Sequence, residues 1–241
     1  LESLANSTAT AVVVARKIRL IPAKDARKEA IKTVQALKSI GCKRFYYKYC
    51  ATFDSTSQGN IGPIAEAMME ELDASRTIFC PAFPEYTVTI FQGRMFLGNT
   101  PLGESFKKND PVTPMTNSNL VEVLASQTSQ QVGLISHSLL PKGKENIDIQ
   151  LNKLESTPFF ITDAADDIDL ERIAELTVDW PLTTGADALP IFLARAWQNH
   201  GNAPKSGSKR LLSPSPGCEA FIAGSCAGAT PVSYTHLRAH E

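Results

Sequence analysis

Arg44–Leu72 reads RFYYKYCATFDSTSQGNIGPIAEAMMEEL, three textures in a row that decide the fold. Arg44–Tyr49 is a short aromatic run of the kind that forms a buried strand. Lys48–Pro63 is small and polar. Ile61–Leu72 returns apolar residues at helical spacing. Strand, polar loop and helix make one α/β unit, and the same alternation continues on either side. Upstream, Ala23–Ile40 places Ala26, Ala30, Val34 and Leu37 on one face and closes at Gly41, a fitting residue just past a helix end. Further strands are predicted at Ala11–Ala15, Thr77–Cys80, Val132–Ser136, Phe159–Thr162 and Pro181–Thr183. Further helices are predicted at Asn117–Gln127, Lys142–Leu154, Asp167–Val178 and Ala186–Gln198. The order implies right-handed crossovers and a mainly parallel sheet flanked by helices. Thr87–Phe91 and Arg94–Leu97 around Gln92–Gly93 read as an inserted β-hairpin. A lid, a dimer arm and a plain sheet edge are three roles open to it.

The chain has 241 residues, 43% of them hydrophobic and 20% charged, and Lys plus Arg (24) against Asp plus Glu (25) leaves a net charge of −1. No apolar run is long enough to span a membrane, and Leu1–Thr10 lacks the pattern of a secretory signal. The near-neutral balance argues against a nucleic-acid partner held by phosphate neutralisation. Cys42, Cys50, Cys80, Cys218 and Cys226 form no metal-binding or CxxC spacing and read as reduced, cytoplasmic thiols. No metal site is expected.

The Pro-, Gly- and Ser-rich stretch 201–216 reads as a linker after a first domain at 1–200. A second α/β domain is expected to start at 217–231 and to be truncated almost at once. Residues 232–241 (VSYTHLRAHE) resemble the translation of a transposase-end sequencing adapter and are set aside. They hold one Arg and one Glu (Arg238 and Glu241), so the net charge stands without them.

Candidate chemistry gathers in Lys48–Pro63. Ligands in open α/β sheets bind beyond the carboxyl ends of the strands, where Asp54 would accept hydrogen bonds from hydroxyls. Lys48 and the helix start near Gly62 would hold an anion. Turn and capping roles for Asp54, Ser55 and Thr56 are an equal alternative. In Lys17–Pro22, Arg19 suits a two-pronged grip on a carboxylate, against the plainer reading of a solvated strand end. Cys80–Glu85 and Asp110–Thr116 are proline-stiffened loops. His137 and His200 read as ordinary surface or packed histidines, and in Asp163–Asp169 a helix cap at Asp166 or Asp167 is favoured over a cation site.

In order along the chain, KYCATFDST, NIGP, CPAFPE, FQG, DPVTPM and SN closely resemble the four-carbon acid sugar kinase family, whose members include 3-oxo-tetronate, D-threonate and D-erythronate kinases. KIRLIP, ITDAADDIDL, LTTGADAL and AGSCAGAT agree, so the resemblance spans about residues 10–230. It implies an ATP-dependent kinase, using Mg²⁺, with an N-terminal sugar-acid domain and a C-terminal nucleotide domain. Arg19, Lys48, Asp54, Ser55 and Thr56 match the sugar-acid pocket, with Asn60 and Gly62 at the turn behind. Gly224, Ser225, Cys226 and Ala227 match the start of the nucleotide domain, with alanines at 223 and 227 where the family has serines. The family's Asp-Asp-x-Thr-Gly opening is absent, and with it the expected general base. The catalytic residue is therefore unassigned, and this chain is expected to lack kinase activity by itself. A non-catalytic sugar-acid-binding module is the rival reading, and a homodimer is open.

Overall fold

Apolar runs too short to be stable as isolated strands are stabilised by pairing, and five of them do so here. They are β1 (Phe45–Lys48), β2 (Thr77–Cys80), β6 (Val132–Ile135), β7 (Phe159–Thr162) and β8 (Leu182–Gly185). Their order in the sheet is β1-β8-β2-β7-β6, and every pairing is parallel. All positions of β2, β7 and β8 are buried, as expected for parallel strands covered on both faces. The computed structural model describes residues 11–154 and 156–201.

Among the described residues six α-helices accompany the sheet: α1 (Ala23–Ser39), α2 (Ile61–Leu72), α3 (Leu120–Ala125), α4 (Gly143–Asn152), α5 (Asp167–Thr177) and α6 (Leu189–Asn199). Helix α1 buries Ala26, Ala30 and Val34, and its Arg27 reaches Glu66 (2.9 Å) and Glu70 (3.0 Å) of α2. The predicted helix over Asn117–Gln127 is shorter, because the Asn119 side chain accepts from the Val121 N–H and caps it at Leu120.

The inserted hairpin is present as β3 (Val88–Phe91) and β4 (Arg94–Leu97), to which β5 (Thr100–Pro101) adds a short third strand. At its turn Gln92 (φ 52°) and Gly93 (φ 70°) are both left-handed, the backbone that a tight two-residue hairpin requires.

One predicted strand is absent. Ala11–Ala15 runs in irregular backbone, with Val13 95% exposed. Its valines favour extended structure, but that preference counts only where a neighbouring strand supplies hydrogen bonds and side-chain contacts. Among the described residues no strand pairs with it. All but the first residue of the expected linker at 201–216, the expected start of a second domain at 217–231 and the expected tail at 232–241 lie outside the described residues.

Candidate functional site

With five parallel strands, the carboxyl ends share one edge of the sheet, and the loop leaving β1 there holds the densest polar cluster. Phe53 adopts a left-handed backbone (φ 52°), which a bulky residue tolerates only when its surroundings hold it. Here its ring is fully buried and stands edge-on to Tyr49 at 5.4 Å. The bend delivers Asp54 into a nest of donors. Oδ1 of Asp54 accepts from the Lys107 ammonium (2.8 Å) and the Thr52 hydroxyl (2.5 Å). Oδ2 accepts from Arg19 (3.1 Å) and the Cys50 thiol (3.3 Å). Burial pushes the Asp54 carboxyl up, but the bonds from Lys107 and Thr52 and the Lys107 charge outweigh it and hold the group below its ordinary value.

The two cations differ. Arg19 keeps 55% of its side chain exposed, whereas Lys107 keeps 9% and also bonds Asp110 at 2.7 Å. Burial disfavours the Lys107 charge, yet Asp110 and Asp54 together hold its pKa above the ordinary lysine value. Asp110 is in turn held low by that bond and by the backbone N–H groups of Thr113 and Val112. A half-exposed guanidinium beside an ionised carboxylate offers two complementary contacts: one for a carboxylate and one for hydroxyls.

The remaining predicted residues are placed around this pair. Ser55 and Thr56 are tied to Gln127, whose amide donates to the Ser55 hydroxyl and the Thr56 carbonyl, both at 2.8 Å. The Gln127 oxygen accepts from the Gly62 N–H at 3.1 Å. A Cβ at Gly62 would lie 3.3 Å from the Gln127 side chain, so glycine allows this approach. The Gly62 N–H, at the second position of α2 and offered above for an anion, is thus bonded to Gln127. Asn60, 2% exposed, donates to the carbonyls of Ile18 (2.6 Å) and Ile21 (3.0 Å), securing the segment that carries Arg19. Lys48 pairs with Asp187 beyond β8 at 3.0 Å rather than with Asp54.

Lys107, Gln127 and Met115, whose sulfur accepts from the Ser55 N–H at 3.5 Å, were missed as site residues. Lys107 stands in a Lys-Lys-Asn-Asp run that reads as a solvated face. The one available signal was its spacing from Asp110, which opens a loop already marked as rigid. Asp166 caps α5 through the Asp169 N–H, as favoured above. Asp163, fully buried, accepts from the N–H groups of Gln92 (2.9 Å), Gly93 (2.8 Å) and His137 (2.8 Å) and so anchors the hairpin turn. The His137 ring meets buried Asp169 at 2.9 Å, and His200 meets Glu175 at 2.8 Å. Gly224, Ser225, Cys226 and Ala227 lie outside the described residues. Among the described residues no group of three His, Cys, Asp or Glu side chains is placed to hold a metal ion, and no helix is long and apolar enough to cross a membrane.

A family model described as the sugar-binding N-terminal domain matches residues 1–192. The chain belongs to this family. Among curated relatives of this sugar-binding domain, a 3-oxo-tetronate kinase of Pseudomonas savastanoi pv. phaseolicola is 39% identical over 231 residues, 95% of this chain and 54% of that protein. One from Escherichia coli is 36% identical over 231 residues, 95% of this chain and 58% of that protein. The chain thus spans about half the length of the curated relatives it matches. A crystal structure of a Haemophilus influenzae protein superposes with a TM-score of 0.78 at 34% identity, covering 88% of this chain and 51% of that one. A Bordetella bronchiseptica structure, a domain-swapped dimer with bound citrate, gives a TM-score of 0.64 at 26% identity, over 78% of this chain and 44% of that one. These likenesses agree with the α/β architecture described above.

Proposed function

We propose that this chain is the sugar-acid-binding part of an ATP-dependent kinase that phosphorylates a four-carbon acid of the 3-oxo-tetronate, threonate or erythronate class. The observation that carries the reading is the pairing of exposed Arg19 with ionised Asp54 at the carboxyl edge of the sheet. Arg19 takes the acid's carboxylate in place of Asp54, and Asp54 takes hydroxyls on the adjoining carbons. Lys48, the last residue of β1, stands at the same edge with its ammonium paired to Asp187. Ser55, Thr56, Asn60 and Gly62 shape the loop from behind. Two likenesses support this: the relatives are named 3-oxo-tetronate kinases, and a structural neighbour binds citrate, itself a hydroxy acid.

Phosphoryl transfer requires a nucleotide held in line with the acceptor hydroxyl and charge neutralisation at its γ-phosphate. ATP is assigned to the domain that starts at 217–231, with Gly224, Ser225, Cys226 and Ala227 at its entry. Mg²⁺ would arrive with the nucleotide and neutralise charge on its phosphates. The parent enzyme works in the cytoplasm, and a homodimer is its assembly, in keeping with the dimeric neighbour.

Calorimetric titration of this chain with D-threonate, D-erythronate and a 3-oxo-tetronate tests the reading. Saturable binding of at least one acid, weakened by Arg19→Met, is expected, with no ADP formed when ATP and Mg²⁺ are added. Absence of binding by every acid overturns the site, and ADP formation overturns the division of labour between the two parts.

A further inference from the structure

Lys107 lies 53 residues from Asp54 in sequence, is buried, and has no role in the proposed function. A lysine is seldom buried unless paired, and its four-carbon stem loses much rotamer freedom when fixed. Three connections hold it in place. Its carbonyl accepts from the Met115 N–H at 2.9 Å, and the same methionine's sulfur meets the Ser55 N–H, next to Asp54. Its N–H donates to the Ser105 hydroxyl at 3.2 Å, which caps the 3-10 turn Phe106–Asn109. Its ammonium meets Asp110, whose other oxygen is fixed by the N–H groups of Val112 (3.0 Å) and Thr113 (2.9 Å). The rigid loop at Pro111 therefore sets Asp110, Asp110 sets Lys107, and Lys107 grips one oxygen of Asp54. Arg19 and Cys50 share the other oxygen.

We propose that Lys107 is the positioning residue of the site: it turns the Asp54 carboxylate so that Oδ2 stays aimed at the exposed side, free to pass from Arg19 to a ligand hydroxyl. The assignment rests on reading this loop as a sugar-acid site. When an acid draws Arg19 away, Asp54 loses one of its two cations in a half-buried place, where an uncompensated carboxylate tends to take up a proton. Lys107 remains, so Asp54 stays ionised and keeps its acceptor role during binding. One cation is thus fixed and the other exchangeable, which divides holding from capture.

The test uses this chain with Lys107→Met, Lys107→Arg and Asp110→Asn. The first readout is the carboxyl titration of Asp54 by carbon NMR, which needs no ligand. Lys107→Met is expected to raise the Asp54 midpoint by about one pH unit or more, Lys107→Arg to leave it nearer the wild type, and Asp110→Asn to fall between. The second readout is D-threonate and D-erythronate binding against pH. Lys107→Met should weaken affinity about tenfold and move the acidic loss of binding to higher pH, and Lys107→Arg should restore most of both. An unmoved Asp54 midpoint in Lys107→Met overturns the assignment. So does an affinity loss with no change in pH profile, which marks mere packing. If Lys107→Met fails to fold, Lys107→Arg and Asp110→Asn decide by the same titration. If neither acid binds the wild type, the reading of the site fails, while the titration still decides what Lys107 does to Asp54.

Discussion

Asp54 after β1 and Asp163 after β7 stand at the same edge of the same sheet and are held by opposite means. Asp163 is fully buried and bonded by backbone N–H groups from the hairpin turn and from His137. Asp54 is bonded by side chains: an ammonium, a guanidinium, a hydroxyl and a thiol. Backbone donors cannot leave without moving the chain, so Asp163 is architecture. Side-chain donors can rotate away, and Arg19 is half in solvent already, so Asp54 can exchange partners. A carboxylate at a strand end is thus assigned to scaffold or site by the kind of donor it meets, more than by its burial alone.

The sharpest way to break this contrast is at Asp163. Asp163→Ala leaves three N–H donors of the hairpin turn and of His137 without their acceptor and should cost about 4 kcal/mol in urea unfolding. Acid binding should be affected only through lost folded protein. A loss below about 1 kcal/mol would show that the hairpin has no need of this anchor.

Asp54→Asn comes next. It keeps the shape and removes the charge, so affinity for D-threonate should fall about tenfold while stability changes by about 1 kcal/mol. The pH dependence carries a sign. The folded Asp54 is held below its ordinary value of 3.8, so its stabilisation is complete above that value and is lost as pH falls through the lower folded midpoint. Acid unfolding of Asp54→Asn should lack that component. Equal slopes in the two proteins would contradict the ionised state assigned here.

The smallest effect is expected at the hairpin tip. Gln92→Asn puts a residue suited to φ 52° where glutamine is disfavoured, and should stabilise by about 0.5 kcal/mol. Because the Gln92 N–H is kept, its bond to Asp163 remains, and unfolding experiments on the double variant with Asp163→Ala would show whether turn and anchor act independently.

What could be read in the sequence follows the same division. Strands β2 and β7 and helix α2 have the limits expected from their residues, because apolar runs bounded by polar turns carry their own signal. The hairpin was readable from Gln92–Gly93 between two alternating runs. Ala11–Ala15 was not, because strand propensity takes effect only through a partner. Arg19 and Asp54 were both picked out, but their mutual bond joins residues 35 apart and leaves no local trace. Lys107 was hidden more deeply: a lysine beside a lysine looks solvated, and only the fold-over of Phe106–Met115 onto the β1 loop buries it. Asn60 and Gly62 were expected at the turn behind the pocket, and the bonds made by the Asn60 amide and the Gly62 N–H tie that turn to Ile18, Ile21 and Gln127.

The Asn60 amide has one more consequence. Its two hydrogens staple the carbonyls on either side of Arg19, at Ile18 and Ile21, to the start of α2. Arg19 therefore extends from a stiff shoulder: its half-exposed guanidinium is tethered through Asp54, while the backbone that carries it is fixed by Asn60. Capturing an anion then freezes a handful of side-chain torsions and little main chain, so most of the ordering cost of recognition is met when the domain folds.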